Sequence, residues 1–156
     1  MKKTTIICVL GFAAVVLAGL TAAAGDHAYV GAEKCKMCHK VQYNSWLETT
    51  HAKATEAAKG STDPAFEAAC LGCHATNSDE ALAGVQCEAC HGPGADFKKM
   101  SIMKDRDAAV ANGLVIPTQA TCDACHKDNG HSKAVVLADN LGNKAAIHEF
   151  KNPPAE

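Results

Sequence analysis

Three kinds of stretch follow one another along the 156 residues: one long apolar run, alanine-rich segments with few breakers, and short turns marked by glycine and proline. Ile6 to Leu20 is the apolar run, preceded by Lys2 and Lys3 and followed by Ala22, Ala23 and Ala24. A positive start, an apolar centre and small residues before a cut predict a secretory signal over residues 1–24, removed before Gly25. A retained membrane anchor competes with this, but the run falls short of the roughly 20 apolar residues of a span. Cys8 lies inside the run and reads as an incidental apolar residue removed with it. Residues 25–156 then form a single domain.

Beyond the signal the pattern is helical and interrupted. Val41 to Lys59 is rich in alanine, has few breakers and meets Gly60, which predicts one long helix with a glycine stop. Asp63-Pro64 has the cap and first-turn chemistry of a helix start. Gly92-Pro93-Gly94 predicts a turn. Lys104 to Asn112 predicts a short helix ending at Gly113, and Thr118 or Thr121 is placed to cap another. Leu114 to Ile116, before Pro117, is the one stretch resembling a strand. The expected class is mainly α with extensive loops and little or no sheet.

Composition sharpens the question of what fills such a fold. Aromatic residues make up 4% of the chain, and much of the apolar fraction is alanine or lies in the leader. A small chain with so few large side chains recruits disulfides, metals or cofactors to complete its core. Without Lys2 and Lys3 there are 13 basic against 17 acidic residues, a net −4. That balance argues against a nucleic-acid binder, which is basic.

The staple is legible in the cysteines. Cys35-Lys-Met-Cys38-His39, Cys70-Leu-Gly-Cys73-His74, Cys87-Glu-Ala-Cys90-His91 and Cys122-Asp-Ala-Cys125-His126 all read C-x-x-C-H. Two thiols so spaced on one helical turn can add to the two vinyl groups of one haem, with the adjacent histidine beneath the iron as proximal ligand. Zinc also uses such cysteine pairs, an exported chain can form disulfides, and redox-active dithiols share the spacing. None of these needs a histidine after every second cysteine. Histidine is 8 of 156 residues, so four such coincidences have a probability on the order of 10⁻⁵. Four covalently bound haem c groups are therefore expected, with helices wrapped around them. The motifs start 35, 17 and 35 residues apart, short enough to force neighbouring haems together; the equal outer spacings suggest a duplicated unit, but the flanking residues differ.

Four histidines remain: His27, His51, His131 and His148. A second axial imidazole makes a haem low-spin and suited to electron transfer, so all four are candidate distal ligands. If His39 to His51 is one helix, the two are about 18 Å apart along its axis. Imidazoles on opposite sides of one iron hold their backbones within roughly 13 Å. His51 is thus expected to reach a haem other than its neighbour. His148 can fold back from the C-terminal region, His131 is too near its own motif to cross that haem easily, and His27 lies close to the expected mature start. Met100 and Met103 are alternative axial ligands, though packing is the commoner role. Trp46 suits either core filling or contact with a porphyrin face.

The stretches CKMCHKVQYNSWLETTHAKA, CLGCHAT with GVQCEACHGPG, and CDACHK together resemble the tetrahaem cytochrome c-554 family of electron carriers and its multihaem relatives. The likeness spans most of the chain beyond the leader. It implies that His51, in the His-Ala pair, is a distal ligand to a haem other than the nearest. It also implies that one iron is left open. Relatives often place another histidine soon after the glycine-proline-glycine turn, and Gly92 to Arg106 contains none.

The expected function is that of a periplasmic tetrahaem c-type cytochrome passing single electrons between redox proteins, without bond chemistry by side chains. Its acidic surface predicts partners with a basic docking patch; membranes are met only through membrane-bound partners. Two alternatives remain: a subunit of an extracellular conducting filament, with His27 or His148 ligating a haem of the next subunit, and a reductase of small nitrogen species at an open iron.

Overall fold

The computed structural model describes residues 27–150, so the expected leader, residues 1–24, lies outside the described residues. Among the described residues nine short helices follow in order: α1 Ala32–Lys36, α2 Lys40–Leu47, α3 Ala54–Lys59, α4 Leu71–His74, α5 Cys87–His91, α6 Met100–Met103, α7 Arg106–Ala111, α8 Gln119–Asp123 and α9 Leu137–Asn140. Single 3-10 turns lie at Ala68–Cys70, Thr76–Ser78 and Glu80–Leu82. Among the described residues there is no strand, only isolated bridges such as Ala75 with Ala83 and Asp128 with Ser132. No helix among them is long and apolar enough to cross a membrane.

The long helix expected over Val41 to Lys59 is broken. α2 stops at Leu47 and α3 starts at Ala54. Tertiary bonds pull the intervening chain out of helical register. The Trp46 indole N–H donates to the Val85 carbonyl at 2.9 Å, and the Val85 N–H donates to the His51 carbonyl at 2.9 Å. Buried Thr49 turns its hydroxyl onto the Trp46 carbonyl at 2.7 Å, a local side-chain bond that competes with the helix ladder. Asp63-Pro64 likewise opens no helix; Thr62 bridges to Ala65, and the next helical turn waits until Ala68. Leu114 to Ile116 is not a strand, although Val115 pairs with His91 as a strand residue would.

Other boundaries follow local chemistry. Asp105 caps α7 by accepting from the Ala108 N–H at 3.0 Å, and the helix gives way to Gly113. Thr118 is the N-cap of α8, and its N–H donates to the Thr121 hydroxyl at 3.1 Å. Gly92 closes α5 at φ 78°, where a Cβ would lie 2.8 Å from the Gly113 carbonyl oxygen. Only glycine accepts both that backbone angle and that approach.

The buried apolar side chains are Ala32, Tyr43, Ala54, Ala58, Leu71, Ala75, Phe97 and Ala109. Most are alanine, so polar groups do much of the fastening. Buried Thr55 accepts from the Gly84 N–H at 2.7 Å and donates to the His74 carbonyl. Thr76, fully buried, donates to the Gly84 carbonyl at 3.0 Å and accepts from the Gln86 N–H at 2.8 Å. The start of the first motif is held by the third: the Ala32 N–H donates to Gln86 at 2.7 Å, and the Val30 and Gly31 N–H groups donate to Glu88.

Candidate haem sites

Each motif is wound as one helical turn. The His39 N–H donates to the Cys35 carbonyl and the His126 N–H to the Cys122 carbonyl, both at 2.9 Å. α4 carries Cys73 and His74, and α5 contains the whole third motif. All eight motif thiols are free, and among the described residues no three acidic, cysteine or histidine side chains converge as a metal-holding group.

The four motifs touch in an order that differs from the sequence. Cys35 and Cys87 share a hydrogen bond; that bond lowers the Cys35 pKa and, with burial, raises that of Cys87. Burial pushes the Cys90 thiol up, with a smaller contribution from Cys122. Burial, then a hydrogen bond with Cys73, pushes Cys125 up to about 11. Read from thiol to thiol, the motifs run first, third, fourth, second. The two closest in sequence, second and third, meet through a backbone-to-side-chain bond instead, with the Gln86 N–H just before the third donating to the Thr76 hydroxyl just after the second at 2.8 Å.

The histidines form pairs across this array. His51 faces His126 with ring centres 6.0 Å apart, His74 faces His131 at 5.9 Å, and His91 faces His148 at 6.4 Å. A metal–imidazole nitrogen bond of about 2.0 Å on each side, plus about 1.1 Å from nitrogen to ring centre, separates two such rings by about 6 Å. The spacing fits one iron between each pair. In every pair one ring comes from a C-x-x-C-H motif and the other from elsewhere in the chain.

Tautomers agree with that fit. The Nδ1 atoms of His74, His91 and His126 lie 3.1, 3.2 and 3.3 Å from the carbonyl oxygens of Ala54, Val115 and Lys133. A carbonyl only accepts, so each Nδ1 carries the proton and each Nε2 keeps its lone pair for a metal. His148 Nδ1 meets the Glu149 carbonyl at 2.9 Å, and His51 bonds the backbone of Ala146. Burial, with the facing His126, lowers the pKa of His51. Burial also lowers that of His91 against the Val115 bond, with His148 and His39 adding to the lowering. Both shifts favour the neutral ring, the form able to bind a metal.

His51 is placed by the broken segment between α2 and α3, docked on Gly84 and Val85. His131 is held in a turn where Asn129 Oδ1 accepts from the His131 and Ser132 N–H groups at 3.1 and 3.0 Å. His148 is drawn back toward α2, since the Glu149 N–H donates to the Ser45 hydroxyl at 2.6 Å. His27 faces no motif histidine: its Nδ1 lies 2.6 Å from Asp96 Oδ2, and its ring packs on Gly113. His39 has no imidazole across from it at such a distance among the described residues, which include every histidine of the chain. Met100, on α6, is 62% exposed. Trp46 packs on Tyr43 with ring centres 5.7 Å apart and planes tilted by 52°, and it bonds Val85, a packing role.

The carbonyls of Ala54, Val115 and Lys133 were invisible in sequence, because any residue supplies one. Glu88 was not singled out either, although an acid between the cysteines of a motif that leads into a glycine-proline-glycine turn is a visible signal.

The family model described as Cytochrome c554 and c-prime matches residues 34–92. Cytochrome c-554 of Nitrosomonas europaea is 31% identical over 163 residues, covering 80% of this chain and 68% of that protein. The solved structure of the reduced state of cytochrome c554 from the same organism is similar at a TM-score of 0.59 and 26% identity, covering 80% of this chain and 86% of that one.

Proposed function

The chain belongs to the cytochrome c-554 family of haem c proteins, and from that premise we propose that it is a periplasmic tetrahaem electron carrier whose residues 25–156 form one domain behind a signal at 1–24. Cys35 and Cys38, Cys70 and Cys73, Cys87 and Cys90, and Cys122 and Cys125 would hold the four haems, with His39, His74, His91 and His126 proximal. His131, His148 and His51 would be the distal ligands at the second, third and fourth motifs. When bound, each haem iron takes up and releases one electron between Fe(III) and Fe(II).

The single observation carrying this reading is the set of three imidazole pairs at 5.9 to 6.4 Å. The chain's own work is positional. Its helical turns present thiols and proximal rings, its backbone carbonyls fix tautomers, and its thiol-to-thiol order sets the path first, third, fourth, second. Redox proteins are its partners, and its acidic balance supports a basic docking surface on them.

His39 favours a second reading. With no imidazole opposite it, the first motif would hold an open iron, where a small nitrogen species could bind and be reduced. A filament subunit needs a spare imidazole, but His148 faces His91 and His27 bonds Asp96 within the same chain, so the discrete carrier is preferred.

A census of spin states tests these assignments. The purified protein is expected to show three low-spin haems and one high-spin haem, and His51→Ala should convert the haem of the fourth motif while leaving the first unchanged. Four low-spin haems would remove the open iron. A change confined to the first haem in His51→Ala would remove the pairing of His51 with the fourth motif. A high-spin signal that ignores added nitrite and nitric oxide would remove the reductase reading.

A further inference from the structure

Glu88 lies in the spacer of the third motif, between Cys87 and Cys90, and is 2% exposed. Its carboxylate is enclosed by backbone donors. The Val30 N–H reaches both oxygens at 3.0 and 3.1 Å, Gly31 donates at 2.7 Å, and Gly94 donates at 2.6 Å. Every partner is a donor and both oxygens are engaged, so the group accepts throughout. That is the environment of an ionised carboxylate stabilised by charge-assisted bonds.

Among the described residues no cation pairs with it. The ion pairs among the described residues are His27 with Asp96, Lys36 with Glu33, and Lys59 with Glu80. Peptide dipoles stabilise the charge without cancelling it, and a buried charge is screened weakly by salt. Its reach follows the packing of the motifs: Glu88 lies in the spacer of the third, and the Val30 and Gly31 N–H groups it accepts from lead directly into α1, which carries Cys35 of the first. The field is therefore strongest at the third and first motifs.

We propose that Glu88 is a built-in negative charge that lowers the reduction potential at the third motif and, through their contact, at the first, biasing electrons toward the fourth and second. Reduction adds one negative charge at an iron, and a fixed negative charge nearby opposes it more strongly in a poorly polarisable interior than in water. Glu88 has two roles in one side chain. It ties Val30, Gly31 and Gly94 to the third motif, and it tilts the array electrically.

The inference rests on the tetrahaem reading, which a haem count per chain tests separately: fewer than four haems defeats that reading whatever Glu88 does. The test of Glu88 is a redox titration of the full, haem-loaded protein with each haem assigned by magnetic resonance. Glu88→Gln is expected to raise the potential at the third and first motifs and to leave the second and fourth in place. Glu88→Asp, which keeps the charge, should stay near the wild type. Unchanged third and first potentials in Glu88→Gln with all haems attached, or an equal rise at all four, would overturn the proposal. Should Glu88→Gln fail to load haem, the wild type decides, because the third and fourth motifs each have an imidazole pair of their own and differ in their distance from Glu88. The haem of the fourth must then reduce before that of the third, and the opposite order overturns the proposal.

Discussion

Gly84 shows how much a single position controls. It sits at φ +80°, and a Cβ built there would lie 2.6 Å from the Ala52 carbonyl oxygen and 3.2 Å from that of His51. Its N–H and carbonyl are taken by Thr55 and Thr76. Gly84→Ala therefore combines backbone strain with a backbone clash that no rotamer relieves, and is expected to destabilise the protein by about 2–4 kcal/mol. Denaturant titration of the haem-loaded variant measures this; a change below about 0.5 kcal/mol would show that the segment carrying His51 shifts freely. The motif histidines were legible because they adjoin their cysteines. The faces they meet were not, because nothing in the residues around His131 or His148 states which motif a turn of chain will bring opposite.

At the scale of elements, propensity was overruled where tertiary bonds were available. The alanine-rich stretch from Val41 to Lys59 favours one helix, yet Trp46, Thr49 and His51 each surrender it to bonds with Val85 or with their own neighbours. The short helices that do form are held across motifs, as in the clamp of Glu33 in α1 on Tyr43 in α2, with the Lys36 ammonium 4.8 Å from the Tyr43 ring centre. That clamp has a pH signature. The Tyr43 hydroxyl holds Glu33 below its ordinary 4.5, and the same bond pushes Tyr43 from 10.0 up to about 12. Tyr43 binds its proton more tightly when folded, so its contribution is full below pH 10 and is lost toward pH 12. Glu33 holds its proton less tightly when folded, so its contribution is present above pH 4.5 and is lost as the pH falls through its folded value. Tyr43→Phe should flatten both limbs of the melting temperature against pH. Identical profiles for variant and wild type would show that the bond contributes nothing to stability.

For the whole molecule, charge governs encounter. With 13 basic against 17 acidic residues beyond the expected leader, electron transfer with a basic partner should slow by roughly tenfold or more between low and physiological ionic strength, as screening removes steering. Stopped-flow rates against salt measure it, and a rate that rises with salt would place the productive contact on a basic face instead. The mainly helical class and the family were readable from the motifs, but the order in which the motifs touch was not, since it depends on chain crossings rather than on spacing. Those crossings have a further consequence. His51, His74 and His91 all precede their partners His126, His131 and His148, and each pair closes a loop that overlaps the other two. A chain emerging from its N-terminus completes no pair until His126 has appeared, and then all three close within a short final stretch. Assembly is thus back-loaded: a product truncated after the third motif keeps three C-x-x-C-H sequences but not one of the facing imidazole pairs.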